Sequence, residues 1–168
     1  MHSDRTLNLG SRMNDKDRTS PLGLFDYARS YWQGGVLLHR VGAKISHPDA
    51  PVTLLMAHAI ELYLKAFLRM NGLSAEEAKH SFGHDFEKLM KAACDRGLPL
   101  TDEDKDMAKL LREQESIRRS QYVETGHFTR LSLAALSGVC RRLDESVAAA
   151  LESGGMCVRS DELVDIKQ

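Results

Sequence analysis

Residues 52–68, VTLLMAHAIELYLKAFL, constrain this chain more than any other stretch. They are apolar almost throughout, yet carry His58, Glu61 and Lys65 in the middle. The run is short for a membrane span, and a charge at mid-bilayer is costly. A helix advances about 100° per residue. Counted from Leu54, His58 then falls at about 40°, Glu61 at about 340°, Lys65 at about 20° and Arg69 at about 60°. The polar residues share one narrow edge. Leu55, Met56, Ile60, Leu62, Tyr63, Leu64, Phe67 and Met70 fill most of the remaining circumference. A helix apolar nearly all round is buried nearly all round. This segment is expected at the centre of a helical assembly, with its one polar edge at water or at a groove.

The rest of the chain reads as helices that surround it. A length of 168 residues suits one domain. Residues 1–19 are polar and read as a flexible arm. Ser20-Pro21 is an N-cap followed by proline at the first helical position. Leu24, Phe25, Ala28, Trp32, Gly35 and His39 then recur at helical spacing up to about Gly42, which places His39 in the core. Gly34-Gly35 costs that helix about 1 kcal/mol per glycine relative to alanine, which points to close approach of a neighbouring helix. The second helix ends near Asn71-Gly72, and a polar connection follows. His84-Asp85 opens a third helix, with Asp85 at its positive end. Thr101 and Asp104 resemble a variant capping box that opens a fourth. Residues 119–128 lose the pattern. A fifth helix starts near Thr129, with Leu133, Leu136, Cys140, Leu143, Val147 and Leu151 along a narrow seam, and Gly154-Gly155 stops it.

No segment sustains an alternation of period two. Residues 158–166 are expected to fray, with a short strand as the alternative. The expected fold is all-α, an up-down bundle of four to five helices. The arm covers 1–19, the bundle 20–154 and a C-terminal tail 155–168.

Composition excludes several classes. The 23 Lys and Arg against 24 Asp and Glu give a net charge of -1, so overall charge does not drive nucleic-acid binding. A local patch remains open, drawn from Arg112, Arg118, Arg119, Arg130, Arg141 and Arg142. Three cysteines without a Cys-x-x-Cys pair imply neither a disulfide framework nor a zinc knuckle. With no apolar leader at the N-terminus, a cytoplasmic protein with no membrane association is expected. Phosphate-binding glycine loops and the Gly-x-Ser-x-Gly elbow are absent from the sequence.

The segment HAIELYLKAFLRMNG, followed by GHDFEKLMKAACDRGLPL, resembles HEPN domains (higher eukaryotes and prokaryotes nucleotide-binding). The likeness spans about residues 50–150. It rests on Glu61, Leu64, Lys65 and Leu68 in one helix, and on Gly83-His84-Asp85 with Leu89 in the next. The resemblance implies an all-α bundle that forms homodimers. It also implies an RNA- or nucleotide-associated role, as a toxin-like ribonuclease or as the partner of a nucleotidyltransferase, in defence or RNA processing.

Nuclease members carry an Arg followed, after four to six residues, by a His, and two protomers join these pairs in one cleft. The corresponding residues here are Arg119 and His127, seven residues apart in between, a departure from that spacing. Tyr122 lies in the same segment as a contact for phosphate or base. The chemistry implied needs no metal and no cofactor: His moves a proton and Arg stabilises phosphate charge. Arg118 is expected to pair with Glu61 as a structural ion pair, and Lys65, His84 and Asp85 to serve the architecture. Two alternatives stand beside the ribonuclease. One is a non-catalytic module for dimerisation or partner docking. The other is a metal-dependent bundle enzyme built on His58, Glu61, His80 and His84.

Overall fold

The computed structural model describes residues 20–42, 44, 47–119, 131–161, 163, 164 and 166, leaving aside the side chains at 75, 79 and 114–119. The described chain forms six helices and no strand: α1 (Pro21–Val41), α2 (Asp49–Met70), α3 (Ala75–Glu77), α4 (Phe86–Asp95), α5 (Asp102–Arg119) and α6 (Leu133–Ser153). The all-α expectation holds. The proposed arm, residues 1–19, lies outside the described residues.

Local chemistry sets the helix starts. The Ser20 hydroxyl accepts from the Gly23 N–H, with Pro21 at the first turn. Asp85 accepts from the Lys88 N–H and opens α4. The Thr101 N–H donates to Asp104 Oδ2 at 2.9 Å, and the Asp104 N–H returns to Thr101 Oγ1 at 3.2 Å. That reciprocal box opens α5. α6 begins at Leu133, later than the periodicity suggests, because Ser132 supplies the cap through the Ala135 N–H.

One element goes beyond the sequence reading. Ser74 and Glu77 exchange hydrogen bonds at 2.9 and 3.1 Å, a second capping box. It opens α3, which runs into a π-helical turn at Ala78–Phe82. The polar connection after Asn71 is therefore partly helical.

α2 lies at the centre, packed against α1, α6 and α4. Met56, Ile60, Tyr63, Leu64 and Leu68 have no exposed surface. Burying such a side chain is worth about 1.5–3 kcal/mol. α2 alone among the described helices has the length and apolarity to cross a membrane, but most of that surface is buried inside the bundle. α1 runs antiparallel to α2, and α6 runs alongside α2 in the same direction. Cys140 Sγ lies on the Met56 carbonyl, Tyr63 reaches Asp144, and Met70 lies by Gly154.

The two adjacent glycines of α1 differ. A Cβ on Gly35 would stand 3.3 Å from Met56 Cγ and 3.5 Å from Leu55 Cβ, so Gly35 is where α1 meets α2 closely. A Cβ on Gly34 would meet no described residue within 4 Å. His39, expected in the core, is exposed, because the buried face of α1 ends at Val36.

Residues 156–161 and Val164 do not fray. Arg29 Nη1 donates to the Arg159 carbonyl at 2.6 Å. The Gln33 amide pairs with the Val164 backbone, donating at 3.0 Å and accepting at 2.9 Å. Met156, Val158, Val164 and Ile166 pack on the core. The frayed-tail expectation fails because two polar side chains of α1 hold the backbone there.

Arg29 also sits at a buried charge cluster absent from the sequence reading. Its Nε and Nη2 each donate to one oxygen of Asp144 at 2.9 Å. The Tyr63 hydroxyl donates to Asp144 Oδ1 at 2.8 Å. Burial and the Asp144 charge push the Tyr63 phenol far above its ordinary value. Burial alone would lower the Arg29 pKa, but Asp144 more than offsets it and the guanidinium is held above its usual range. A fork-to-fork pair with its remaining valences filled is the geometry in which buried charges hold together.

Candidate functional site around Glu61

The polar edge of α2 faces the turn that precedes α4. His58, Glu61 and Lys65 follow at spacings of three and four, so they share one helix face. Gly83, at φ 53°, reverses the chain after the π-helical turn. The Asp85 N–H then donates to the Phe82 carbonyl while the Asp85 carboxylate caps α4. That fixed turn lays His84 against Glu61.

Glu61 is 4% exposed, a carboxylate nearly out of water. Lys65 Nζ donates to Oε1 at 2.5 Å. His84 Nδ1 lies 3.0 Å from both oxygens. His58 Nδ1 stands 4.0 Å from Oε2. Burial would raise the Glu61 pKa, but hydrogen bonds from His84 and Lys65 outweigh it and hold the group below the ordinary carboxylate value. Glu61 is an anion at neutral pH, with cationic and imidazole groups on the water side.

The two imidazoles differ. His84 has 58% of its side chain exposed, and its contact to Glu61 uses Nδ1. Nε2, across the ring, is left for another partner. His58 is partly buried, and the Tyr31 ring meets it edge-on at 4.5 Å. Burial lowers the His58 pKa; Lys65 and His84 push the same way, with Glu61 opposing. His58 is therefore neutral at neutral pH.

The other expected residues fall as follows. Asp85 is the α4 cap, as read from the sequence. Tyr122 and His127 lie outside the described residues, as do the side chains of Arg118 and Arg119, whose backbone closes α5. The expected Glu61–Arg118 pair falls there too, while Glu61 is engaged by Lys65 and His84. His80 pairs with Glu76 at 3.8 Å, both well exposed. No group of three His, Cys, Asp or Glu among the described residues is arranged to hold a metal ion. The set His58, Glu61, His80 and His84 is thus not assembled as a metal centre. Arg112 meets Glu87, Arg141 meets Glu145, and Arg142 meets the buried Asp104, so each of these three basic side chains has an acidic partner.

Sequence reasoning placed His58, Glu61 and Lys65 on one edge but missed Tyr31. No local pattern announces a ring contact between separate helices. The comparisons return no relative: no family model, no curated protein and no solved structure matches the chain.

Proposed function

We propose that this protein is a HEPN-like module that cleaves RNA without a metal, and that the edge of α2 is part of its active site. The supporting observation is one buried carboxylate that orients an exposed imidazole through Nδ1 while a second, neutral imidazole stands beside it. Transfer of a phosphodiester needs one group to take a proton and one to give it. In this reading neutral His58 takes the proton of the ribose 2′-hydroxyl. The 2′-oxygen forms a bond to phosphorus, the bond to the 5′-oxygen breaks, and His84 gives that oxygen a proton through Nε2. The products are a 2′,3′-cyclic phosphate and a 5′-hydroxyl. Glu61 is a positioning residue, with Lys65 holding it. The HEPN resemblance adds Arg119 against the phosphoryl charge, His127 as a further group that moves a proton, and Tyr122 as a contact for phosphate or base.

The test is RNA breakdown in EDTA, with end-group analysis. Wild type is expected to leave 2′,3′-cyclic phosphates. His58→Ala and His84→Ala are each expected to slow cleavage by about a hundredfold or more, the usual scale of acid–base catalysis. His127→Ala tests the residue that the resemblance supplies. Wild type without cleavage, or a His58→Ala/His84→Ala double variant with full activity, overturns this assignment.

A second reading is a non-catalytic dimerisation or docking module. It is favoured by exposed apolar side chains on α1: Tyr27, Leu37 and Val41. Under it, the Glu61–His84 contact serves only to lock α2 to the start of α4.

A further inference from the structure

Glu61 holds its two imidazoles unequally. His84 Nδ1 lies 3.0 Å from both carboxylate oxygens, within hydrogen-bond reach, so Glu61 itself fixes that ring. His58 Nδ1 stands 4.0 Å from Oε2, too far for a hydrogen bond. Among the described residues, neither nitrogen of His58 has a hydrogen-bond partner. A histidine χ2 torsion is broad and roughly two-fold, so a ring held by nothing else turns over. Turning over puts a carbon where Nδ1 faced Glu61 and moves Nε2 from its place. A general base has to keep its accepting nitrogen within about 2.6–3.2 Å of the hydroxyl it deprotonates.

Tyr31 supplies the constraint that Glu61 does not. Its ring centre is 4.5 Å from that of His58, and the two planes stand at 87°. This is the close end of the range in which edge-to-face rings attract. Tyr31 is itself packed against the core, so the surface it offers is fixed. Helix register sets the meeting. Gly35, one turn further along α1, lies against Leu55 and Met56, where its missing Cβ lets the helices close. Because α1 and α2 run antiparallel, Tyr31 comes level with a residue about one turn beyond Leu55, which is His58. Phe25 and Tyr63, edge-to-face at 5.5 Å, continue the same register. The charged and titratable groups that face His58 are Glu61 and Lys65 from its own helix and His84 from the turn before α4, with Tyr31 from α1.

We propose, on the basis of the cleavage reading, that Tyr31 is the positioning residue for His58: its ring holds the imidazole in the one orientation that turns Nδ1 to Glu61 and leaves Nε2 for the ribose 2′-hydroxyl. The ring does this and the phenolic hydroxyl does not.

Two measurements on Tyr31→Phe and Tyr31→Leu test the assignment, each variant first checked for an unchanged helical spectrum. A long-range proton–nitrogen NMR spectrum shows which nitrogen of His58 carries the proton, and it needs no RNA. At about pH 7.5, wild type and Tyr31→Phe are expected to show one tautomer, protonated on Nδ1. Tyr31→Leu should show both tautomers in exchange, with the His58 pKa moved up toward the ordinary 6.5 as the ring gains water. In the EDTA assay, Tyr31→Leu should lower kcat about tenfold or more with KM little changed, and Tyr31→Phe should keep the wild-type rate. A single Nδ1 tautomer retained in Tyr31→Leu, or a loss of activity in Tyr31→Phe equal to that in Tyr31→Leu, overturns the role of Tyr31. Wild type that cleaves no RNA, while the tautomer still depends on Tyr31, overturns the cleavage reading and leaves the ring contact as the constraint on His58.

Discussion

At the scale of single residues, the Arg29–Asp144–Tyr63 cluster carries the largest expected cost. Asp144→Ala leaves a buried guanidinium without its fork partner. It should destabilise the protein by about 3–5 kcal/mol, the usual loss when one half of a buried pair is removed. Tyr63→Phe removes one hydrogen bond to a charged group and should cost about 1.5–3 kcal/mol. Urea unfolding of both variants, with equal slopes required for the comparison, checks the ranking. The sequence held a signal for this cluster. Arg29 sits on the apolar face of α1 between Ala28 and Trp32, and Asp144 borders the seam of α6 beside Leu143. Two opposite charges on two buried faces are a pair waiting to be matched, but nothing local says which faces meet.

His58 gives a prediction in pH. Its folded pKa lies below the unfolded value of 6.5, so the unfolded chain binds more protons as pH falls. The neutral ring's contribution is complete above pH 6.5 and is lost as the solution is acidified through and below that value. Wild type should therefore lose more stability between pH 7.5 and about pH 5 than His58→Gln does. Parallel loss in the two proteins would show that another group titrates.

At the scale of elements, helix starts were legible wherever a cap used local side chains. Ser20-Pro21, Asp85 and the Thr101–Asp104 box all stand where the sequence puts them. The Ser74–Glu77 box carries the same signature and was overlooked, because the helix it opens is too short to show an apolar period. The edge of α2 was legible as an edge, since helical spacing alone puts Glu61 beside Lys65. Its partner was not, since His84 arrives through a turn that depends on Gly83 and on the cap of α4. The glycine pair makes the distinction measurable. Gly34→Ala should stabilise by about 0.5–1 kcal/mol, because no described residue lies within 4 Å of its Cβ. Gly35→Ala should lose that gain against Met56. Melting temperatures of the two variants decide it.

At the scale of the whole molecule, α2 organises the rest. Its apolar circumference dictates a surrounding of helices, and α1, α4 and α6 supply one. The all-α bundle was thus fixed by one segment's composition. The docking of residues 156–161 and Val164 was not, because it depends on Arg29 and Gln33 reaching backbone far away in sequence. Removing residues 156–168 should cost on the order of 3 kcal/mol, from four apolar side chains and the bonds to Gln33 and Arg29. Urea titration of the shortened chain measures it, and an unchanged midpoint would contradict the docked arrangement.

The order of synthesis gives that docking a further meaning. Arg29 leaves the ribosome 115 residues before Asp144 and 130 before Arg159. At about 5–20 residues per second, its guanidinium waits on the order of 6–26 seconds for its final acceptor. Until then α1 cannot bury that face without stranding a cation. Sealing the core before α6 arrives therefore carries a cost of about 3–5 kcal/mol.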